Sequence, residues 1–468
     1  MTDINLIYPR DFNLNKNTID QADRTNSTEQ KSSVLSLQAS SVQESEKILT
    51  YTPRIDSSLF PQPNSEISLV ELTREASSEG RRTMAAGIAH GDNIFITWSG
   101  PDMRPQVAQC HRETLECRSR DLGAIREVRD VYDFHDYTHL VRTHDGTLHV
   151  FYSNHSQHLW HIRSSQPDNI DGSWHKSEIT YLDGAATNAT YPMPVVSNDG
   201  TLFVFFRQTT ETKSYRPINF VKSTDNGLTW SEPQAAIDFQ NSRSDHLNEI
   251  YVGRMIHDKE TDRILMSWTL SGGGPEYTSR DTYHKNVFFA SFDPKTNQFY
   301  AVTGQELGSS IDNDEAINAC LAYDSGSLDQ EKEHHINYKP LVHKDPKTGW
   351  PLIAFYDFNK EHAYLAKWDG QTWQHRELPF DPKEFTITPE GNLQALYSQD
   401  KKFYISESLD SGESWQQTQA IDTPEHFNRM IAITDIPDLF LTQHITKTEF
   451  DSMATTGNVP TYLLHISE

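Results

Sequence analysis

Short apolar runs that flank polar turns recur along the chain from about residue 67. Each unit is typical of a β-hairpin whose second run is almost continuously apolar, as expected of a strand buried on both faces. Most successive units lie about 45 to 60 residues apart, which is enough for a four-stranded blade with one long loop. Seven units occur: GIAHGDNIFITWSG, LVRTHDGTLHVFYSNH, VVSNDGTLFVFFRQ, RMIHDKETDRILMSWTL, LVHKDPKTGWPLIAFYD, TITPEGNLQALYSQ and IAITDIPDLFLTQHI. The pattern therefore predicts an all-β chain that forms a seven-bladed β-propeller over residues 67–468.

Two further segments, Ser223–Trp230 and Ser408–Trp415, fit the pattern S-x-D-x-G-x-x-W of an Asp-box. In such a turn the Ser and Asp side chains bind backbone groups, Gly adopts positive φ, and Trp packs beneath. Residues 168–174 form a degenerate relative of the same pattern. Asp-boxes resemble those of sialidase-like and other sugar-active propellers. They are structural turns, so they support the fold and leave the reaction open.

Residues 1–66 differ from the rest of the chain. Ser, Gln, Asn, Thr, Asp and Glu dominate them, without sustained apolar periodicity. Such a segment buries too little apolar surface to offset the entropy of ordering, and we predict a disordered, low-complexity tail. The first residues also lack a basic segment followed by an apolar one, so no Sec-type signal peptide is expected. The cellular location stays open.

The formal net charge of −25 argues against a nucleic acid or an anionic membrane as a partner, because both require clustered Lys and Arg. No apolar run is long enough to span a membrane. A locally basic cleft for an anionic substrate remains compatible with an acidic protein, and we expect a monomer.

Cys110 and Cys117 lie seven residues apart and are compatible with a hairpin disulfide, but the odd total of three cysteines favours reduced thiols.

Histidines are concentrated in one segment, with seven between His135 and His161. His135 precedes the first strand of a predicted hairpin, and His155 follows the second. The start of one strand and the end of the next meet at one edge of an antiparallel pair, so the two side chains should share a rim of the propeller. A histidine at a strand end is, however, more often an ordinary surface residue.

The following hairpin repeats this arrangement with different side chains. Tyr191 opens its first strand and Arg207 ends its second strand, TLFVFFR. The same geometry places both at the rim shared by His135 and His155. Two adjacent hairpins are thus expected to bring together two histidines, a tyrosine and an arginine.

These residues carry a resemblance to the BNR-4 repeat family, over roughly residues 80 to 300. The matching segments are Asp133-Phe-His135, Asp145-Gly146, Phe151-Tyr-Ser-Asn-His155, Tyr191-Pro192, Phe206-Arg207, Tyr251-Val252 and the region of Tyr283-His284. Members of the family include seven-bladed propeller polysaccharide lyases that cleave ulvan. The resemblance implies that His135 and His155 match the two active-site histidines, Tyr191 the catalytic tyrosine, and Arg207 the arginine that faces the substrate carboxylate.

A uronate lyase removes the proton at C5, next to the carboxylate, and expels the sugar linked at C4. Arg207 suits the task of neutralising that carboxylate, because a guanidinium is always charged and binds carboxylates in a bidentate manner. Tyr191 and His135 are the expected acid and base, in an order that the residues leave open, with His155 as a substrate contact. Further candidates for sugar or carboxylate contacts are Tyr251, Arg254 and His139.

The chain departs from the family at Ser271–Pro275, where Gly-His-Pro is usual, so either the substrate contacts differ or the activity has drifted. Two alternatives stay open. A sialidase-type hydrolase would need three arginines, for which Arg207, Arg254 and Arg82 are available, and a non-catalytic propeller would only bind carbohydrate.

No cofactor is expected for the chemistry. A structural calcium or zinc ion is left open, with candidate ligands Asp312, Asp314, His334 and His335.

Overall fold

Strands make up nearly all of the regular structure. The computed structural model describes residues 48–50, 67–77, 84–123, 135, 137–153, 156–181, 184–185, 188–210, 215–239, 247–271, 284–326, 336, 339–388, 390–427, 429–442 and 459–467. In chain order the strands are β1 Ile48–Thr50, β2 Ile67–Ala76, β3 Gly87–His90, β4 Asn93–Ser99, β5 Pro105–His111, β6 Cys117–Asp121, β7 Tyr137–Arg142, β8 Leu148–Ser153, β9 Leu159–Ser164, β10 Trp174–Glu178, β11 Thr180–Tyr181, β12 Gly184–Ala185, β13 Ala189–Val196, β14 Leu202–Gln208, β15 Tyr215–Arg216, β16 Ile218–Ser223, β17 Gln234–Ile237, β18 Asn248–Asp258, β19 Arg263–Ser271, β20 Lys285–Asp293, β21 Gln298–Tyr300, β22 Glu306–Gly308, β23 Leu321–Tyr323, β24 Leu341–Lys344, β25 Pro351–Asp357, β26 His362–Trp368, β27 Trp373–Leu378, β28 Glu384–Ile387, β29 Leu393–Gln399, β30 Lys402–Ser408, β31 Gln416–Asp422, β32 Arg429–Thr434, β33 Leu439–Thr442 and β34 Val459–Ile466.

Helical structure within these ranges is short. A 3₁₀ turn covers Pro101–Met103, and an α-helical turn at Asn313–Glu315 continues as a π-helical turn over Ala316–Cys320. None of the helices in the described ranges is long and apolar enough to cross a membrane.

All seven predicted hairpins are present as antiparallel strand pairs. They are β3–β4, β7–β8, β13–β14, β18–β19, β24–β25, β28–β29 and β32–β33. The second strand of the hairpin β13–β14 is buried along six of its seven residues, whereas the outer strand β17 is partly exposed. This difference confirms that the nearly continuous apolar runs are strands covered on both faces.

The prediction of seven separate blades is met only in part. Four sheets stand alone as four-stranded meanders, β7–β10, β13-β14-β16-β17, β24–β27 and β28–β31. The other strands merge into a nine-stranded sheet, a seven-stranded sheet and the pair β11–β12. Merging occurs because β3 pairs in parallel with β32, and β15 pairs in parallel with β18. The fold is therefore all-β and propeller-like, with four distinct blades.

The apolar core lies between the faces of neighbouring sheets. One cluster joins Phe151 and Leu159 of the β7–β10 sheet to Leu202, Phe206 and Val221 of the next sheet. Similar clusters fill the spaces between other neighbouring sheets. Sheets that pack face to face around a ring bury their inner strands most deeply, and their inner strand ends converge at one rim.

Both predicted Asp-boxes form as expected. In the first, the Gly227 amide donates to Ser223 Oγ (2.8 Å), and the Thr229 amide donates to Asp225 Oδ1 (2.9 Å). Gly227 has φ +76°, and the equivalent glycine of the second box, Gly412, has φ +90°. The turns connect β16 to β17 and β30 to β31, on the outer strands of their sheets. They are structural and lie outside the polar cluster described below.

Within the predicted tail, the described segment is β1, which pairs antiparallel with β6. The boundary of the tail at residue 66 stays a prediction. The last strand, β34, pairs with β2 and with β33, so the two ends of the propeller-like domain share one sheet.

The expectation of reduced thiols is wrong. Cys110 on β5 and Cys117 on β6 form a disulfide, and Cys320 is a free, buried thiol. The two bonded cysteines lie directly opposite each other in the hairpin, with their Cα atoms 4.0 Å apart. A spacing of seven residues across a tight hairpin thus sets the geometry for the bond.

Candidate active site

Two neighbouring hairpins bring polar side chains to one rim. In the hairpin β13–β14, Thr190 at the start of one strand pairs with Arg207 at the end of the next. In the hairpin β7–β8, Tyr137 lies at the same position, and His135 precedes it by two residues. The structure brings His135, Tyr191 and Arg207 together, whereas His155, the fourth residue expected at this rim, lies outside the described residues.

Arg207 is the centre of this cluster. Its side chain is fully buried, and its guanidinium carbon lies 4.5 Å from the ring centroid of Tyr191 and 5.0 Å from that of Tyr251. None of its three guanidinium nitrogens meets hydrogen-bond geometry with an acceptor in the described part of the chain. A buried cation without a hydrogen-bond acceptor is costly, so this arrangement favours an anionic ligand that supplies one.

The surroundings of Arg207 keep it charged. Burial acts to lower the pKa of the guanidinium, but Tyr251, Tyr191 and Glu249 act in the opposite direction and raise it overall. The site therefore presents a permanent positive charge in a medium of low polarity, where its attraction for a carboxylate is strong.

Tyr191 adopts an unusual backbone conformation. Its φ is +61°, and the register of β13 against β14 shifts between Thr190 and Met193, which marks a β-bulge. Positive φ in an aromatic residue costs about 1 to 3 kcal/mol and is found mainly at functional sites. The bulge aims the Tyr191 ring at the cluster, where it lies 5.6 Å from the ring of His135 and 5.8 Å from that of Tyr137.

Tyr251 reaches the cluster from the next sheet. Its ring lies 6.3 Å from that of Tyr191 and 4.7 Å from that of His284. The Tyr251 hydroxyl donates to Glu249 Oε2 at 3.4 Å. Burial, with a contribution from the negative charge of Glu249, raises the pKa of Tyr251 to about 12 although Arg207 acts to lower it. Tyr251 is thus a neutral hydroxyl group beside the guanidinium.

Four residues of the cluster were not predicted, namely Tyr137, Arg216, Glu249 and His284. Glu249 had a detectable signal, because it is a carboxylate inside the apolar run LNEIYV and is fully buried. Arg216 pairs with Glu249 at 3.0 Å. The sequence around Arg216, where a proline follows it, contains no pattern that indicates a site.

The remaining predicted residues lie in different places. His139 is fully buried, with its ring 5.3 Å from that of Tyr137, so it lines the back of the cluster. Arg254 follows a second bulge on β18, and its guanidinium donates to the buried carboxylate of Glu384. The guanidinium of Arg254 is thus paired with a carboxylate, whereas that of Arg207 has no acceptor among the described residues. His155 and Arg82 lie outside the described residues, as does most of the segment 271–275.

The metal candidates do not form a cluster among the described residues. Asp312 caps the short helix, accepting from the Glu315 amide at 2.9 Å. No three side chains of His, Cys, Asp or Glu come together as a metal site within the part of the chain that the structure describes. His334 and His335 lie outside that part.

Chemically, the cluster combines a permanent cation with groups that exchange protons. Arg207 lies against Tyr191, and Tyr191 lies against His135. A carboxylate bound at Arg207 would place the adjoining carbon near a tyrosine hydroxyl and an imidazole. Both groups serve as general acids and bases in enzymes.

The chain is similar in sequence to proteins named as ulvan lyases. An ulvan lyase from Alteromonas sp. (strain LOR) is 25% identical over 327 residues, which are 62% of this chain and 62% of the relative. The protein named Ulvan Lyase-PL25 from Pseudoalteromonas sp. (strain PLSV) is 22% identical over 380 residues, 72% of this chain and 74% of the relative. The chain thus spans less than two thirds of the length of the first relative.

Among solved structures, a polysaccharide lyase described as PL25-Ulvanlyase bound to -[GlcA(1-4)Rha3S]- superposes with a TM-score of 0.67 at 19% identity, covering 85% of this chain and 96% of that one. This likeness establishes a shared fold. The model of the BNR repeat-containing family matches residues 94–380, which is more than half of the chain. The chain belongs to the BNR repeat-containing family.

Proposed function

We propose that the protein is a polysaccharide lyase that cleaves an acidic, uronate-containing polysaccharide such as ulvan by β-elimination. The observation that carries the proposal is the buried guanidinium of Arg207, which has no acceptor among the described residues and is bordered by Tyr191 and Tyr251. The relatives named as ulvan lyases support the choice of substrate.

In the proposed reaction Arg207 binds the uronate carboxylate. Removal of the C5 proton leaves negative charge that spreads onto this carboxylate, and a fixed cation in a dry site stabilises that charge most effectively. A base takes the C5 proton, the electron pair forms the C4–C5 double bond, and the C4–O bond breaks. An acid then protonates the departing oxygen, so the atoms balance without water or an oxidant.

We assign the acid and base to Tyr191 and His135. Their rings are adjacent, with His135 just before β7 and Tyr191 on β13 of the next sheet. The stereochemistry at C5 decides which of the two takes the proton. His155 is proposed as an additional contact to the carboxylate or a hydroxyl, and Tyr251 as a further contact beside Arg207, while His139 supports Tyr137 from the back of the cluster. The proposed chemistry uses side chains alone; a structural calcium or zinc ion would lie elsewhere.

A sialidase-type reaction fits less well. It needs three arginines around one carboxylate, whereas the guanidinium of Arg254 is committed to Glu384. For the same reason we do not propose Arg254 as a contact for the substrate carboxylate.

We also propose that the propeller has seven blades. The nine-stranded sheet contains the two meanders β3–β6 and β32-β33-β34-β2, and the seven-stranded sheet contains β18–β21. Counting these with the four separate sheets supports seven. The protein is further proposed to act as a monomer, which light scattering tests.

The deciding experiment is incubation with ulvan, glucuronan and other uronate polymers while ultraviolet absorbance is followed. Elimination creates a double bond conjugated with the carboxylate, which absorbs, whereas hydrolysis does not. A rise with at least one polymer is expected. No rise with any of them would overturn the proposal, and binding without a rise would identify a carbohydrate-binding propeller.

A further inference from the structure

A second arginine, Arg216, is coupled to the proposed site through Glu249. The Glu249 side chain is fully buried, and its Oε2 accepts from Arg216 Nη1 at 3.0 Å and from the Tyr251 hydroxyl at 3.4 Å. The side chain of Arg216 is 15% exposed, so the pair is shielded from water. One carboxylate oxygen thus joins an arginine to a tyrosine that packs against Arg207.

The backbone keeps this arginine beside the carboxylate. The two-residue strand β15 pairs in parallel with β18, and Arg216 is registered directly against Glu249. Arg207 lies on β14, a strand of a different sheet. The two arginines therefore approach one acidic residue from two different elements, but the ion pair is made with Arg216.

The pairing of Glu249 with Arg216, and not with Arg207, has an electrostatic consequence for the site. Glu249 and Arg207 flank the same tyrosine. The Tyr251 hydroxyl donates to Glu249 Oε2 at 3.4 Å, and the Tyr251 ring centroid lies 5.0 Å from the guanidinium carbon of Arg207, while Glu249 forms its ion pair with Arg216. A fully buried carboxylate is strongly destabilised without a cationic partner, and it takes another cation within reach when its own is removed. For Glu249 that second cation is Arg207. If Glu249 paired with Arg207, it would occupy the guanidinium that the substrate carboxylate needs.

We propose that Arg216 is a positioning residue that holds Glu249 away from Arg207 and so keeps the Arg207 guanidinium available for the uronate carboxylate. This inference rests on the proposed function, in which Arg207 binds that group. Arg216 touches neither the substrate nor the reacting atoms in this account. It acts by removing an internal competitor.

The test is a double-variant cycle of Arg216→Gln and Glu249→Gln, with kcat and KM measured by ultraviolet absorbance on the polymer that the wild-type protein cleaves. Arg216→Gln alone is expected to raise KM about 10-fold or more, because Glu249 then competes for Arg207. Glu249→Gln alone supplies the reference KM in the absence of the competing carboxylate, and its amide oxygen can still accept from Tyr251. The double variant should return to the KM of Glu249→Gln.

A purely structural ion pair would also recover stability when both charges are removed, so urea unfolding of each variant is measured beside KM. A rise in KM that persists in the double variant, or one that occurs only where the Arg216→Gln protein is partly unfolded under the assay conditions, would overturn the proposal. Arg263→Gln is the matched control, because Arg263 pairs with Asp293 at 3.2 Å on the same sheet but away from the cluster. It should leave KM unchanged.

A crystal structure of the Arg216→Gln variant gives a readout that does not need activity. Glu249 is expected within hydrogen-bond distance of Arg207, and a Glu249 that keeps its position would contradict the inference. If the wild-type protein cleaves no polymer, the proposed function fails, while this structure still decides whether Arg216 restrains Glu249.

Should thermal unfolding show that Arg216→Gln does not fold, Arg216→Lys replaces it. Lysine keeps the charge but loses the planar fork, so it holds the carboxylate less firmly. A rise in KM of about threefold is expected, reversed by Glu249→Gln. A rise that persists in the Arg216→Lys/Glu249→Gln variant overturns the proposal.

Discussion

The ring of His135 lies 5.6 Å from the ring of Tyr191, although the two residues lie in different hairpin regions of the chain. His135 precedes β7, whereas Tyr191 lies on the bulge of β13. The positive φ of Tyr191 is what turns its side chain towards the neighbouring sheet. Backbone strain and side-chain proximity thus coincide at one residue, which makes Tyr191 the first target for mutation.

Replacement of Tyr191 by phenylalanine keeps the ring and removes only the hydroxyl. Because general acid or base catalysis typically contributes about 10²- to 10⁴-fold, kcat should fall by that factor while KM changes little. The rate of unsaturated uronate formation measures both constants. Tyr300→Phe is a matched control, since Tyr300 packs against Arg263 away from the cluster. Unchanged kcat in Tyr191→Phe would remove this residue from the proposed mechanism.

Replacement of Arg207 by methionine should abolish activity with little loss of stability. The buried guanidinium has no hydrogen-bond acceptor among the described residues, which makes its burial costly, whereas Tyr251, Tyr191 and Glu249 stabilise its charge. Because these effects oppose each other, the free energy of unfolding should change by no more than about 1 kcal/mol. Urea unfolding measures the change.

A paired arginine provides the control for this trade-off. Arg142 donates to Asp168 Oδ2 at 2.8 Å, and Arg142→Met should lower stability because it leaves that carboxylate without its partner. If Arg207→Met were instead destabilised as much as Arg142→Met, Arg207 would be a structural residue and not a site held ready for a ligand.

The strands and turns of this fold are predictable because their signals are local. Alternating and continuous apolar runs identified the seven hairpins, and the Asp-box pattern fixed two turns to the residue. The separation into blades was less predictable. It depends on parallel contacts such as that of Gly87 with Ile433, which join residues from opposite ends of the chain and leave no trace in either segment.

The candidate site shows the same contrast between local sequence signals and contacts that join distant parts of the chain. Tyr191 and Arg207 were accessible to prediction because one hairpin brings the start and the end of two adjacent strands together. Arg216 and Glu249 meet through a two-residue parallel pairing, which has no periodic signal. The disulfide was missed because an odd number of cysteines argued against it, whereas the register of a single hairpin decided it.

Gly227 of the first Asp-box should be far less replaceable than another glycine of similar conformation. A Cβ at Gly227 would lie 2.5 Å from Cε1 of the buried His161, whereas Gly304, with φ +84°, has no atom within 4 Å of that position. Gly304→Ala is expected to cost about 1 kcal/mol through backbone strain alone. Gly227→Ala should cost about 1 to 3 kcal/mol more through overpacking. Equal losses in urea unfolding would contradict the close approach.

The buried pair His149 and His161 should make the fold sensitive to acid. Their rings are joined by a hydrogen bond of 2.8 Å, and His149 Nε2 lies 3.0 Å from Asn226 Oδ1. Burial lowers the pKa of His149 to about 4, with a smaller contribution from Arg163, although Asn226 and the charge of Asp145 act to raise it. The pKa of His161 is also lowered, mainly by burial.

The sign of the effect follows from proton binding. Below the ordinary histidine pKa of about 6.5, the unfolded chain binds a proton at His149 that the folded protein does not, so stability falls as the pH decreases towards 4. The loss from His149 amounts to about 3 kcal/mol once the pH reaches its folded pKa. In His149→Gln this part of the pH dependence should disappear, although the variant is less stable at neutral pH. His175 is an exposed histidine on β10 and serves as the control. In His175→Gln the free energy of unfolding, measured in urea, should depend on pH as it does in the wild-type protein. If His149→Gln shows that same pH dependence, another group titrates in this range.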